Sequence, residues 1–225
     1  MVRVLAVADE VVESVYDSKV RDLEPELVIA AGDLPWDYLE FLSSCLNVPV
    51  LFVPGNHDPA VLTPKQSRGQ YFDSGIPCDS PRPCGAVNAD LAIVEVAGLR
   101  IAGLGGCVRY NDGPNQYTQG QYARRAKKLV RRERRAPGEG VDVLVTHAPP
   151  RGLGDEEDPC HVGIEALHDV LAALQPTWHL HGHIHPYGHV RPDREVGRTT
   201  IRNVIPYRLL EIVPGRTPEE VRRGS

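Results

Sequence analysis

Val2 to Ala8 is a continuous apolar run broken only by Arg3, and it ends at Asp9. That is the pattern of a parallel strand buried on both faces, where hydrophobic residues need not alternate with polar ones. A short helical stretch is expected around Val12 to Arg21. The next apolar run, Leu27 to Ala31, reads as a strand delivering Gly32-Asp33, and Leu34-Pro35 then opens a helix with Trp36, Leu39, Phe41 and Leu42 as its apolar positions. Leu46 to Val53 supplies a third buried strand, closed by Pro54-Gly55. Strand and helix alternate, so right-handed crossovers are expected.

From Thr63 to Val87 this periodicity fails, and Pro, Gly, Ser and Asp become frequent. The stretch 63–87 is read as a long loop or small cap beside the site. Leu91 to Val96 and Arg100 to Leu104 read as a hairpin that begins a second group of strands. A polar loop at 109–114 leads to a helix over Tyr117 to Arg135, ended by Pro137-Gly138. Val141 to Thr146 is a strand delivering His147, and a helix follows near Gly163 to Leu174. Trp178 to His181 is the next strand, and Thr199 to Val204 with Tyr207 to Val213 read as a closing hairpin. One domain over 1–215 is expected, with a tail at 216–225 in which Thr217 to Glu220 has the form of a capping box.

With 225 residues and 41% hydrophobic content, the chain suits a single globular α/β domain with a sizeable core. The net charge of −5 gives no global attraction to nucleic acid or to an anionic membrane, so polyanion binding would rest on a local patch or on metal. Cys45, Cys78, Cys84, Cys107 and Cys160 are scattered without paired spacing, which argues against a thiolate zinc site and fits a reducing cytoplasm. No run is long enough to span a bilayer, so no membrane association is expected.

Chemistry gathers where strands end. Asp9, Gly32-Asp33, Gly55-Asn56-His57-Asp58, His147 and Gly182-His183-Ile184-His185 each follow an expected strand, the position at which open α/β sheets place ligands. Alternation in the last segment turns His183 and His185 to one side and Ile184 to the other. Gly182 lets the backbone approach closely. Asp9 or Asp33 alone would read as a helix cap or turn residue; the ordered set is what points to a site.

This set, in this order, resembles the calcineurin-like metallophosphoesterases, from the first strand to the last. The resemblance implies a four-layer α/β/β/α sandwich with two mixed β-sheets, and two divalent ions in a site of nitrogen and oxygen donors. Asp33 would bridge the ions. The first would take Asp9, Asp33 and His185; the second, Asp33, Asn56, His147 and His183. Such donors suit Mn, Fe or Zn. The implied reaction is hydrolysis of a small phosphoester, a phosphodiester in preference, by a metal-bound hydroxide with His57 assisting. Asp58 would hold the His57 tautomer.

One departure matters. The family's Asp-x-His motif reads Asp9-Glu10-Val11 here, which removes a ligand from the first ion. Water, rather than Glu10, is expected to complete the shell, giving two ions per chain or one tight and one weak. Arg109 and Asn111 are candidate substrate contacts, with Arg151 similarly placed. His179, His181 and His189 read as strand residues supporting the site, and His161 and His168 as surface or loop residues. The rivals are a scaffold protein on the same fold, favoured by Val11, and a structure-specific nuclease using the basic segment Arg124 to Arg135. Nucleic acid is not the favoured partner, because that segment lacks interleaved aromatics.

Overall fold

A computed structural model describes residues 1–59, 83–136, 138, 140–189 and 191–216, together with the backbone of three short strands between 65 and 78. The elements run in order: β1 (Val2–Val7), β2 (Leu27–Ala30), α1 (Trp36–Leu46) and β3 (Val50–Phe52). A small meander follows, made of β4 (Lys65–Ser67), β5 (Gln70–Asp73) and β6 (Ile76–Cys78), and then β7 (Ala86–Asn88). The second half holds β8 (Ile93–Val96), β9 (Leu99–Leu104), β10 (Cys107–Val108), β11 (Gln116–Tyr117), α2 (Gln119–Glu133) and β12 (Val143–Thr146). It closes with α3 (Ala166–Leu174), β13 (Trp178–His181), β14 (Arg194–Val196), β15 (Thr199–Asn203) and β16 (Tyr207–Ile212).

Two mixed sheets carry the architecture, in the orders β16-β1-β2-β3-β7 and β14-β15-β13-β12-β9-β8. Strand parity sorts the core into layers. Val4, Ala6, Leu27, Ile29 and Leu51 from the first sheet meet Ile101, Val143, Val145 and Leu180 from the second. The opposite faces take the helices: Leu5, Val7, Val28 and Ala30 pack on Tyr38, Leu39 and Leu42 of α1. On the far side, Ala102, Leu104 and Leu144 pack on Tyr122, Ala126 and Leu129 of α2 and on Leu167 and Leu171 of α3. Both faces of the central strands are therefore dry, which is why those strands read as continuous apolar runs. The result is the four-layer α/β/β/α sandwich.

Three sequence expectations change. Thr199 to Val204 and Tyr207 to Val213 do not form a hairpin. β15 pairs parallel to β13 in the second sheet, whereas β16 pairs antiparallel to β1 in the first, Val2 opposite Ile212. The chain crosses between sheets at the buried Val204-Ile205, and the Asn203 carboxamide takes the Ile205 N–H while donating to the Ile184 carbonyl. A short connection between two apolar runs looks the same in sequence whichever sheet the second run joins. The helix expected over Val12 to Arg21 is instead a set of turns leading into a 3₁₀ turn at Ser18–Leu23, in which only Val15 and Val20 are fully buried while Val12 and Leu23 pack at the edge of the core. Of the expected loop 63–87, Ala86–Asn88 is a strand, pairing parallel to β3 at the edge of the first sheet. A cap role for the remainder, and the capping box at Thr217, lie outside the described side chains.

The basic segment also changes character. Arg125 turns inward, its guanidinium bonded to both Asp90 oxygens at 2.7 and 2.8 Å and lying 4.1 Å above the Tyr117 ring. Arg132 reaches the Leu91 carbonyl. Part of the charge on α2 therefore fixes that helix to the second sheet. Thr118 and Gln121 form the capping box that starts it. Among the described residues, no helix is long and apolar enough to cross a membrane.

Replacing Asp90 by Ala leaves the Arg125 charge half-buried and removes the acceptor of the Gly105 N–H. Asp90→Ala should lower the unfolding free energy by about 2 kcal/mol in urea denaturation, the usual loss when a partly buried charged hydrogen-bond partner is removed.

Candidate active site

Each site residue stands just past the carboxyl end of a parallel strand, and the two sheets bring these ends together. Asp9 follows β1, Asp33 follows β2, Asn56 and His57 follow β3, His147 follows β12 and His183 follows β13. Asp9, Asp33 and His183 have φ of 61°, 56° and 69°, the left-handed region, which turns each side chain away from the strand direction. Non-glycine residues in that region cost on the order of 1–3 kcal/mol each, and such costs concentrate at functional sites.

His147 is the centre. It is fully buried, and its Nδ1–H donates to the Ala31 carbonyl at 2.8 Å. Its Nε2 then faces two oxygens, Oδ1 of Asn56 at 2.9 Å and Oδ2 of Asp33 at 3.3 Å. The Asn56 carboxamide presents this oxygen to the ring while its Nδ2 donates to the Tyr110 hydroxyl at 3.0 Å. A neutral imidazole with its proton on Nδ1 would point a lone pair at two more lone pairs. Burial favours the neutral ring, but the Asp33 and Asp9 carboxylates and the Ala31 carbonyl together outweigh it and raise the His147 pKa, while burial of Asp33 is outweighed by His147 and His57 together and its pKa falls. A divalent cation would satisfy the same three donors without the proton, so the donor set fits a metal. Asp9, Asp33 and His147 each offer one ligand atom, all within 4.8 Å of one another.

The remaining donors are oriented by their second atoms, as metal-binding histidines usually are. His183 donates from Nε2 to the Cys160 carbonyl at 2.9 Å, which leaves Nδ1 bare, and its ring lies 4.8 Å from that of His147. Burial, then His147, pushes its pKa down to about 3. Its backbone N–H donates to Oδ2 of Asp9. Burial pushes the Asp9 carboxyl up to about 6. His185 pairs through Nδ1 with Oε1 of Glu10 at 2.8 Å and turns Nε2 towards Oδ1 of Asp9, 3.8 Å away. Glu10 therefore orients a histidine, while the Val11 side chain stands partly in solvent.

Glycines set how closely these loops approach. A Cβ on Gly182 would lie 2.2 Å from Oδ2 of Asp9, one on Gly55 2.1 Å from Oδ1 of Asp33, and one on Gly32 2.7 Å from Nδ1 of His147.

The expected pairing of His57 with Asp58 is not made. Oδ2 of Asp58 accepts from the N–H groups of Asp33 and Gly55 at 2.9 and 2.7 Å, tying two strand ends together. His57 donates its backbone N–H to Oδ1 of Asp33 at 2.7 Å. Its exposed ring lines a cavity of about 450 Å³ with Leu34, Pro35, Trp36 and Pro59. Arg109 folds back towards the Gln116 carbonyl, and Asn111 closes its own turn by accepting from Gly113 and Gln116. The residue between them, Tyr110, is the one that reaches the site. Sequence reading missed Tyr110 and also Asn115, whose amide donates to the carbonyls of Gly55 and Asp58. Only the polar character of the loop after the β9 run hinted at them. His161 also stands by the site, its ring 5.4 Å from His183, rather than away from it.

His179 supports His147 from the neighbouring strand. Its Nε2–H donates to Oγ1 of Thr146, and its buried Nδ1 has no partner among the described residues. Burial, then His181, holds its pKa well below 6.5.

A family model described as calcineurin-like phosphoesterase matches residues 5–187. Over 68 residues the chain is 43% identical to metallophosphoesterase domain-containing protein 1 of Homo sapiens and of Mus musculus. That stretch spans 29% of this chain and 20% of the length of each relative. A solved structure, TT1561 of Thermus thermophilus, has a TM-score of 0.57 at 15% identity, covering 90% of this chain and 88% of that one. Another crystal structure has a TM-score of 0.61 at 16% identity, with 90% of both chains covered. These two likenesses concern the fold alone.

Gly182→Ala should push the His183 loop off Asp9 and weaken metal binding at least about 10-fold, read by competition with a chelator. A pH series of unfolding curves tests His179. Below pH 6.5 the unfolded chain protonates this residue and the folded chain does not, so its contribution is full above pH 6.5 and lost as pH falls. Relative to His179→Leu, the wild-type protein should lose about 1.4 kcal/mol of stability per pH unit below that point.

Proposed function

Because the chain belongs to the calcineurin-like phosphoesterase family, in which phosphoesters are hydrolysed with the help of divalent metal, we propose that it hydrolyses a small phosphodiester on two divalent cations. The observation that carries this is the buried Nε2 of His147, faced by Oδ1 of Asn56 and Oδ2 of Asp33. His147, Asn56, Asp33 and the bare Nδ1 of His183 would hold the tight ion. Asp33, Asp9 and Nε2 of His185 would hold the second, with Glu10 steering His185. Donors of nitrogen and oxygen without thiolate suit Mn, Fe or Zn. When bound, the ions supply charge neutralisation at the phosphate and an acidified water.

The chain's own groups do the rest. Asp58 and Asn115 hold the loop that carries Asn56 and His57. His57 turns its ring into the cavity beside Asp33, where it can donate to a phosphoryl oxygen. The apolar walls of that cavity, Leu34, Pro35 and Pro59, offer room for an ester arm, which favours a diester over a monoester. The four cysteines described, Cys45, Cys84, Cys107 and Cys160, are free thiols, which supports a reducing, cytoplasmic setting.

The test joins metal content to turnover. After dialysis against excess Mn²⁺ and removal of free metal, one or two equivalents should remain per chain, and bis(p-nitrophenyl) phosphate should be hydrolysed faster than p-nitrophenyl phosphate. His57→Asn should keep the metal and lower kcat by about 10² or more. Metal retention without turnover of either ester would instead favour the scaffold reading, to which Val11 points.

A further inference from the structure

The carboxylate-held histidine that sequence reading assigned to His57 and Asp58 is present elsewhere. His161, on the loop between β12 and α3, has its Nδ1 at 3.0 and 2.9 Å from the two oxygens of Asp158. The loop is folded to hold this pair. The His161 N–H donates to the Asp158 carbonyl, the Cys160 N–H to Oδ1 of Asp158, and the Glu156 N–H to the His161 carbonyl. The same loop is stapled to both histidines of the Gly-His-x-His segment. The Cys160 carbonyl accepts from Nε2 of His183, and Glu156 binds Arg191, whose Nη2 also donates to the His185 carbonyl at 3.0 Å.

We propose that His161 is a second substrate-facing histidine, held at Nδ1 by Asp158 so that its Nε2 meets the departing oxygen of the phosphoester and gives it a proton. Three observations support the assignment. With Nδ1 engaged by a carboxylate, Nε2 is the working nitrogen, as in other carboxylate-held catalytic histidines. Among the described residues, Nε2 of His161 has no hydrogen-bond partner, and the ring lies 5.4 Å from that of His183. The side chain is 24% exposed, so a substrate at the strand ends can reach it. His57 lacks this support, since Asp58 is engaged by two backbone N–H groups.

In the step, the bond from phosphorus to the departing oxygen breaks, and its electron pair goes to that oxygen. The oxygen takes the Nε2 proton of His161 and leaves as the alcohol. The new bond to phosphorus comes from water, whose proton passes to solvent, and His161 regains a proton from solvent. His57 is left to the phosphoryl oxygens. The inference rests on the phosphoesterase reading above.

Leaving-group dependence tests it, because a good leaving group departs without a proton. The Mn²⁺-loaded full chain would be compared with His161→Asn and Asp158→Asn on two diesters that differ only in the departing group, p-nitrophenol or phenol. His161→Asn should lower kcat/KM for the phenol ester by about 100-fold and for the nitrophenol ester by less than about threefold. Asp158→Asn should show the same bias to a smaller extent. Metal content and urea unfolding should match the wild type. Equal losses on both esters, no loss on either, or the loss of a metal equivalent would each overturn the proposal. A wild-type protein inactive on both esters would overturn the phosphoesterase reading itself, and this inference with it.

Discussion

A buried imidazole that donates through one nitrogen to a carbonyl, and faces a carboxylate with the other, is satisfied by a positive charge between ring and carboxylate. His147 is held in that position by two separate parts of the chain: the Ala31 carbonyl and Asp33 at the end of β2, and Asn56 after β3. His147 itself comes from the other sheet. The arrangement exists only if the two sheets pack with their parallel strand ends at one edge, so the interlayer core of Val4, Ile29, Ile101 and Val145 is also what assembles the site. In the free chain a second proton on the ring supplies that charge, and a metal ion can replace it. Packing and chemistry are thus coupled at one residue.

Close approach is the second condition. Gly32, Gly55 and Gly182 leave so little room that a methyl group at any of them would overlap Asp33, Asp9, His147 or nearby backbone. Left-handed backbone at Asp9, Asp33 and His183 then turns the carboxylates and the ring into the space between the sheets. Asp58 and Asn115 complete the frame by satisfying loop N–H and carbonyl groups that would otherwise be buried without partners. Side chains that look catalytic in sequence can therefore be framework, and Asp58 is one.

The side bearing Val11 has a different logic. No side-chain donor stands at that position, yet His185 is steered by Glu10 and its backbone carbonyl is held by Arg191, which is itself fixed by Glu156. The orientation of His185 is thus held without a donor at residue 11. The loop from 155 to 163 joins this network to His183 through the Cys160 carbonyl, and it brings the His161–Asp158 pair to the same edge.

Much of this was legible in the sequence, because its signals are local. Continuous apolar runs ending in Asp9, Asp33, Asn56 and His147 are set by burial on both faces of a strand, whereas His183 and His185 lie beyond the end of β13, where left-handed backbone at His183, not strand alternation, sets their directions. Those runs determined the α/β class, the strand ends and the ligand candidates, and the sequence alone shows valine at residue 11, where the family pattern has histidine. Only the tertiary structure decided which sheet β16 joins, that Glu10 orients His185, that Asp58 serves the backbone while Asp158 serves a histidine, and that Tyr110 rather than Arg109 reaches Asn56. These are choices between equivalent hydrogen-bond partners distant in sequence. Residue type gives each donor its capacity to bond, but the partner is chosen by which strand ends the packed sheets bring within reach.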